Sequence, residues 1–416
     1  MHFHRYTIKT SFWQTLSFIL MSVSCSTAAS NQNDMASLRS EIEQLKQLVL
    51  ILEQKVEVLS KAKVPIEELS TDIKTKFVRA ESAEHSSVTL NTDFRMRYDS
   101  IRQDSANDRE RARLRARASL TYSNDQFTGV LGASSGDDNP VVVNQTLGQG
   151  GNTKGLQLDL AYINYPLSDA VNLIAGKMKN PLYRPGDHGL VWDSDYRPEG
   201  IIAQYRSQDL SLTGGFYWLE SDSVANNEAA IYLIQAKQAI TIGARPATLG
   251  FGYSSANIAG HTDFWEGDNL AVGNLRDCSS GACVFANDYH VFEGFAEVQF
   301  SSLITGFAHG IKNLAVSDNN IGYALGVEVG NLQREGDWSL KTIWQDLENE
   351  STLAFVSDSR FGGGGTGGEG VRFILGYQLS AGSNIDLIYS KAKRHSYLSP
   401  TSLDYERLIV DFAFKY

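Results

Sequence analysis

Between Arg109 and Ser123 the chain reads RERARLRARASLTYS, and Arg111, Arg113, Arg115 and Arg117 alternate strictly with Ala112, Leu114, Ala116 and Ala118. A period of two sets all four guanidiniums on one face of a β-strand and the small apolar residues on the other. Wound as a helix, the same residues would scatter the charges around most of the circumference. So dense a charged row needs water on its face. A soluble sheet can carry one such strand, but a barrel wall in a membrane meets the need throughout, with water inside and lipid outside. Arginines pointing into an aqueous lumen then form an anion-attracting row.

The rest of the chain agrees. No apolar run after the N-terminus is long enough for a membrane-spanning helix. From Val88 onward one unit recurs: about ten alternating residues, a turn, a second alternating stretch and a longer loop. Strands are expected to start at Val88, Arg111, Phe127, Leu156, Val171, Ile201, Leu210, Ala229, Ala247, Tyr289, Ile304, Gly322, Trp338, Gly370, Ser383 and Tyr405. The fold class is therefore an all-β transmembrane barrel of about sixteen antiparallel strands. Short turns such as Ser123-Asn124-Asp125, Ser207-Gln208-Asp209 and Ser380-Ala381-Gly382 alternate with long polar loops at 135–155, 178–200, 258–288 and 348–369. That asymmetry between two rims suits an outer-membrane barrel and has no purpose in a soluble sandwich. Trp338, Leu340, Thr342 and Trp344 share one face, as do Phe373, Leu375, Tyr377 and Leu379. These faces, with the tryptophans as interfacial anchors, are expected to meet lipid. The last strand sets Leu408, Val410, Phe412, Phe414 and Tyr416 outward in the same way.

Ahead of the barrel, residues 1–30 read as an export signal: Arg5 and Lys9, an apolar core from Phe12 to Val23, then small residues. Cys25 offers a rival reading as a lipidation site, although Ser22 stands where an aliphatic residue is normal. Leu38, Ile42, Leu45, Val49, Leu52, Val56 and Leu59 keep a 4,3 spacing, which marks residues 35–62 as a short α-helical coiled coil or an amphipathic helix packed on a domain. A linker spans 63–87, and the barrel 88–416. Cys278 and Cys283 lie close together in a loop of an exported chain, and a disulfide is expected between them, with a metal site as the rival. The net charge of −11 argues against a nucleic-acid partner.

The arrangement resembles bacterial trimeric porins that carry a periplasmic coiled coil before the barrel, a group that includes dicarboxylate-type porins. Arg113 to Tyr122 and the loop Gly186 to Gly200 are similar to the "putative porin" family of proteobacteria. The ladder also resembles that of phosphate-selective porins, but the lysine-rich strands of that group have no counterpart here. The resemblance implies a homotrimer in the outer membrane, with the coiled coil in the periplasm.

A channel needs a constriction. The expected basic wall is Arg95, Arg97, Arg111, Arg113, Arg115 and Arg117, and the expected constriction loop supplies Arg184, Asp187, Asp193, Asp195, Arg197 and Glu199. Glu293, Glu297 and Glu328 are expected on the inward face of later strands. A transverse field between carboxylates and arginines would order polar solutes. Alternatively, these charges pair with neighbours and only stiffen the wall. With few partners nearby in sequence, the ladder is harder to explain by stability alone. The function expected is passive diffusion of small hydrophilic or anionic solutes, without cofactor, metal or catalysis. The alternatives are an envelope tether or adhesin on a plugged barrel, and a barrel enzyme, for which the histidines show no catalytic partner pattern.

Overall fold

The structure, a computed structural model, describes residues 86–416 except 105, 137–138, 222–226, 265–272 and 397–398. The expected export signal, coiled coil and nearly all of the linker lie outside the described residues. Sixteen long strands are present among the described residues: β1 (Ser87–Gln103), β2 (Arg109–Ser123), β3 (Thr128–Ser135), β4 (Leu156–Pro166), β5 (Val171–Lys177), β6 (Glu199–Arg206), β7 (Leu210–Glu220), β8 (Ala229–Ile242), β9 (Arg245–Ala256), β10 (Tyr289–Ser301), β11 (Ile304–Asn313), β12 (Ile321–Gly330), β13 (Trp338–Leu347), β14 (Gly368–Ser380), β15 (Ser383–Ser396) and β16 (Ser399–Lys415). Each pairs antiparallel with the next, and β1 closes the barrel on β16 with Arg97 opposite Asp411. Closure leaves no unpaired edge, which is what a sheet needs in lipid.

The alternation fixes which face is which. On β12, Ile321, Tyr323, Leu325 and Val327 are exposed on the outside, while Gly322, Ala324 and Gly326 are buried inside. Trp338, Leu340 and Trp344 on β13, Phe373, Leu375, Tyr377 and Leu379 on β14, and Leu408, Phe412 and Phe414 on β16 all face outward as expected. The connections alternate in length, from the two residues between β8 and β9 to the long segments 136–155, 178–198, 257–288 and 348–367 on the other rim. Between β3 and β4, a two-residue strand at Gln145–Thr146 returns to pair with Leu114 and Arg113 of β2, extending the wall above the short β3.

The long loops fold inward and pack. Leu190, Val191, Trp192 and Tyr196 of loop 178–198, Phe355 and Val356 of loop 348–367, and Ile258 and Phe285 of loop 257–288 join inward side chains Tyr217, Ile231, Tyr289, Val291, Ile311 and Ile343 in one apolar cluster. Trp192 stacks on Tyr196, and both meet Tyr217 edge-on. Each such large side chain withdrawn from water contributes roughly 1.5–3 kcal/mol. One side of the lumen is thus a packed core, and the charged strands β1, β2 and β16 form the other.

Candidate selectivity site in the lumen

The charged side is built by register. In the β1–β2 pair, Asp99 stands opposite Arg111 and Asp93 opposite Arg117, but between them Arg95 faces Arg115 and Arg97 faces Arg113. Like charges directly opposite are destabilising in a sheet. Neighbouring strands and loops compensate most of them. Arg97 donates from Nε and Nη2 to both carboxylate oxygens of Asp411 on β16 (2.6 and 2.5 Å). Arg407 donates to both oxygens of Asp99 (2.8 and 3.0 Å), which also accepts from Arg111. Arg115 is held by Asp93 at 2.7 and 2.8 Å. The ladder is therefore rich in partners: its counter-charges sit on adjacent strands and on loop 178–198, and one of them, Asp411, lies 314 residues from Arg97 in sequence.

Loop 178–198 crosses the lumen and is pinned at both sides. On the far wall, the Gly186 N–H donates to Glu297 Oε2 on β10 (2.7 Å), and Lys341 Nζ on β13 donates to the Gly186 carbonyl (3.1 Å). His188 Nε2–H donates to Gln345 Oε1 on β13 at 2.7 Å. On the near wall, Arg117 donates to Asp195 at 3.0 Å, Arg115 approaches it at 3.5 Å, and Arg197 lies 3.6 Å from Asp159 of β4. Burial opposes ionisation of Asp195, but Arg117, Arg115 and Arg95 hold its carboxyl below the usual range. Loop 348–367 is stitched to this crossing: Asp193 Oδ2 accepts from the Ser359 N–H (2.8 Å), and Arg372 on β14 donates to Asp358 at 2.6 Å.

The expected loop residues thus divide. Asp195 and Arg197 join the basic wall and Asp193 ties the two loops together. Arg184 pairs locally with Asp187, and Glu199, on β6, pairs with Lys177 away from the ladder. Glu293 and Glu297 do face inward, Glu293 bonded to Gln235 and His309. Glu328 pairs with Lys341. Cys278 and Cys283 are joined as a disulfide in loop 257–288. Residues not singled out from sequence complete the site: Asp99, Asp411, Arg407, Arg372, Asp358, Arg360 and Asn144. Asp411 and Arg407 lie four residues apart on the inward face of β16, a period-two signal readable in principle. Asn144 carries no such signal. Toward the turn rim, Asp93, Arg117, Asp159, Arg197 and Lys415 line a cavity of about 470 Å³, and a second of about 200 Å³ lies beside Tyr183, Arg206 and Lys237.

These features meet known proteins in two ways. Residues 67–248 match the family described as "Putative porin". The resemblance to bacterial porins is thereby shown. In fold, the barrel is similar to OprB of Pseudomonas putida in a high-pH structure, at TM-score 0.53 and 11% identity, covering 83% of this chain and 96% of that one. A triple mutant of Rhodopseudomonas blastica porin aligns at TM-score 0.48 and 12% identity, over 79% of this chain and 100% of that one. A loop-deletion mutant of OmpT, an outer membrane protein of Vibrio cholerae, aligns at 0.45 and 11%, over 80% and 100%. No curated protein sequence matches. The family match and the closed barrel support an outer-membrane location.

Proposed function

We propose that this porin passes small hydrophilic solutes by passive diffusion, with a preference for anions. The observation that carries the reading is the facing of Arg95 with Arg115 and of Arg97 with Arg113 inside a closed barrel. Each facing pair sets two guanidiniums side by side where loop 178–198 crosses the lumen, even though neighbouring carboxylates compensate most of their charge. Selectivity then follows from width and lining charge, with no chemical step. The porin acts as a homotrimer whose residues 35–62 form a periplasmic coiled coil, a reading supported by the heptad spacing and the resemblance to trimeric porins.

The test is the reversal potential of the full chain in a planar bilayer under a KCl gradient. Wild-type channels should favour chloride, and the double variant Arg95→Ala, Arg113→Ala should lose most of that preference. These two are chosen because removing Arg111, Arg115 or Arg117 would strand Asp99, Asp93 or Asp195. A folded barrel that conducts nothing would move the second reading forward, an envelope tether on a plugged barrel. The inward packing of loops 178–198 and 348–367 is what favours that reading.

A further inference from the structure

The arginines of the lumen are not equally open to water. On the charged wall, Arg95, Arg97, Arg113, Arg115 and Arg407 leave at most 10% of the side chain exposed, and Arg111 and Arg117 leave 18% and 14%. All of them are bonded to a partner: five to carboxylates, and Arg95 and Arg113 to Asn144 of loop 136–155, at Oδ1 (2.8 Å) and at the carbonyl (3.0 Å). Arg360 differs on both counts. It is carried by loop 348–367, its side chain is 29% exposed, and among the described residues its guanidinium makes no hydrogen bond. The carboxylate nearest to it among the described residues, Asp358, lies 3.7 Å from Nε and is already engaged by Arg372 at 2.6 Å and by the Arg360 backbone N–H at 2.8 Å. An anion shedding water gains most from donors that are not already spent, and a guanidinium carries five. Bonded to a carboxylate, the same group shows a passing ion little more than a dipole.

Loop 348–367 fixes where this charge sits. Before it, Ser359 is held on two sides, its N–H donating to Asp193 of the crossing loop (2.8 Å) and its Oγ to the Val141 carbonyl (3.2 Å). After it, Phe361 is buried beneath the Arg372 guanidinium, 5.2 Å from the ring centre. Arg360 stands between these anchors, close enough to Asp193 and Asp195 of the crossing loop and to Asp411 of β16 for all three carboxylates to act on its charge. That places it where both loops approach the charged wall. We infer that Arg360 is a specificity-determining residue of the channel, meeting permeating anions directly while Arg95 and Arg113 set the field behind it. The inference rests on the porin reading and names a residue through which that porin selects.

Arg360→Gln leaves Asp358 to Arg372, so no carboxylate is stranded and the heat-resistant folded band on a gel should be unchanged. Under a KCl gradient its chloride-over-potassium permeability ratio should fall about threefold, the size expected of one unit charge about 8 Å from the ion path in water. Arg360→Cys then separates charge from shape. The wild type, in which Cys278 and Cys283 are joined, is the control for each reagent. A methanethiosulfonate carrying a trimethylammonium group should restore the chloride preference, and one carrying a sulfonate should turn it toward potassium. Reagents of opposite sign that shift the reversal potential equally, or an engineered thiol that neither reagent reaches, would overturn the inference. So would an Arg360→Gln channel that conducts with wild-type selectivity, an outcome that leaves the porin reading standing. A folded wild type that conducts nothing would overturn both.

Discussion

Asp99 carries more of the lumenal charge than one carboxylate usually does. It is fully buried, accepts from Arg407 and Arg111, and lies 4.0 Å from Arg113. Breaking a buried pair by removing one partner typically costs about 3–5 kcal/mol, because the other charges stay buried. Asp99→Ala should lower the unfolding free energy of the refolded barrel by an amount of that order, seen in urea as an earlier midpoint, and an unchanged midpoint would mean that water already screens the cluster. His188 gives a pH test of opposite character. Burial lowers its pKa to about 3, with Arg372 adding to the fall and Asp358 opposing it. The unfolded ring titrates near 6.5, so between about 6.5 and 3 the unfolded chain binds the extra proton. Stability is then full above 6.5 and drains as pH falls. The wild-type unfolding midpoint should drop between pH 6.5 and 4, and His188→Gln should flatten that slope.

At the scale of elements, the period-two pattern made the strands legible. Starts expected at Leu156, Val171, Leu210, Ala229, Tyr289, Ile304, Trp338 and Ser383 coincide with the observed ones, and the long loops fall where expected. What the pattern could not show was where the loops end up, because a strand's alternation is local and a loop's destination is not. Gly186 illustrates this. Its φ of 60° suits glycine, and a Cβ there would come within 2.2 Å of the Phe307 ring. A glycine in a loop signals a tight conformation, but nothing nearby in sequence says that the partner is β11. The same holds for the ladder, whose residues were visible while Asp411 and Arg407, hundreds of positions away, were not connected to it. Gly186→Val should therefore act on the loop and not on the barrel. The left-handed backbone alone costs a branched residue about 1–2 kcal/mol, and the clash adds to it. Single-channel recordings should show larger, noisier currents from a loop freed from Glu297 and Lys341, while the heat-resistant folded band on a gel stays unchanged. Quiet, unaltered currents would mean that the crossing loop does not set the aperture.

Across the whole molecule, the interior divides in two and the exterior is uniform. Half of the lumen is filled by an aromatic and aliphatic core on β7 to β13, and the other half is an ionic network on β16, β1 and β2. The core holds the loops rigid from one side, so the network can present a fixed row of charges from the other. Outside, the apolar surface must meet lipid of matching depth. Trp338 and Trp344, 53% and 36% exposed, are separated by about 20 Å of strand, which fits an outward band about 25 Å tall on tilted strands. Trp192, 4% exposed, points into the core instead. Single-tryptophan variants in vesicles containing brominated lipid separate these environments directly. Trp338, Trp344 and Trp218 should be strongly quenched, each at the bromine depth nearest its position. Trp192 should stay bright at every depth, because the sheet and the packed lumen lie between it and the acyl chains. Quenching of Trp192 comparable to that of Trp338 would show that the apolar cluster faces lipid, and would invert the inside and outside on which the charged row depends.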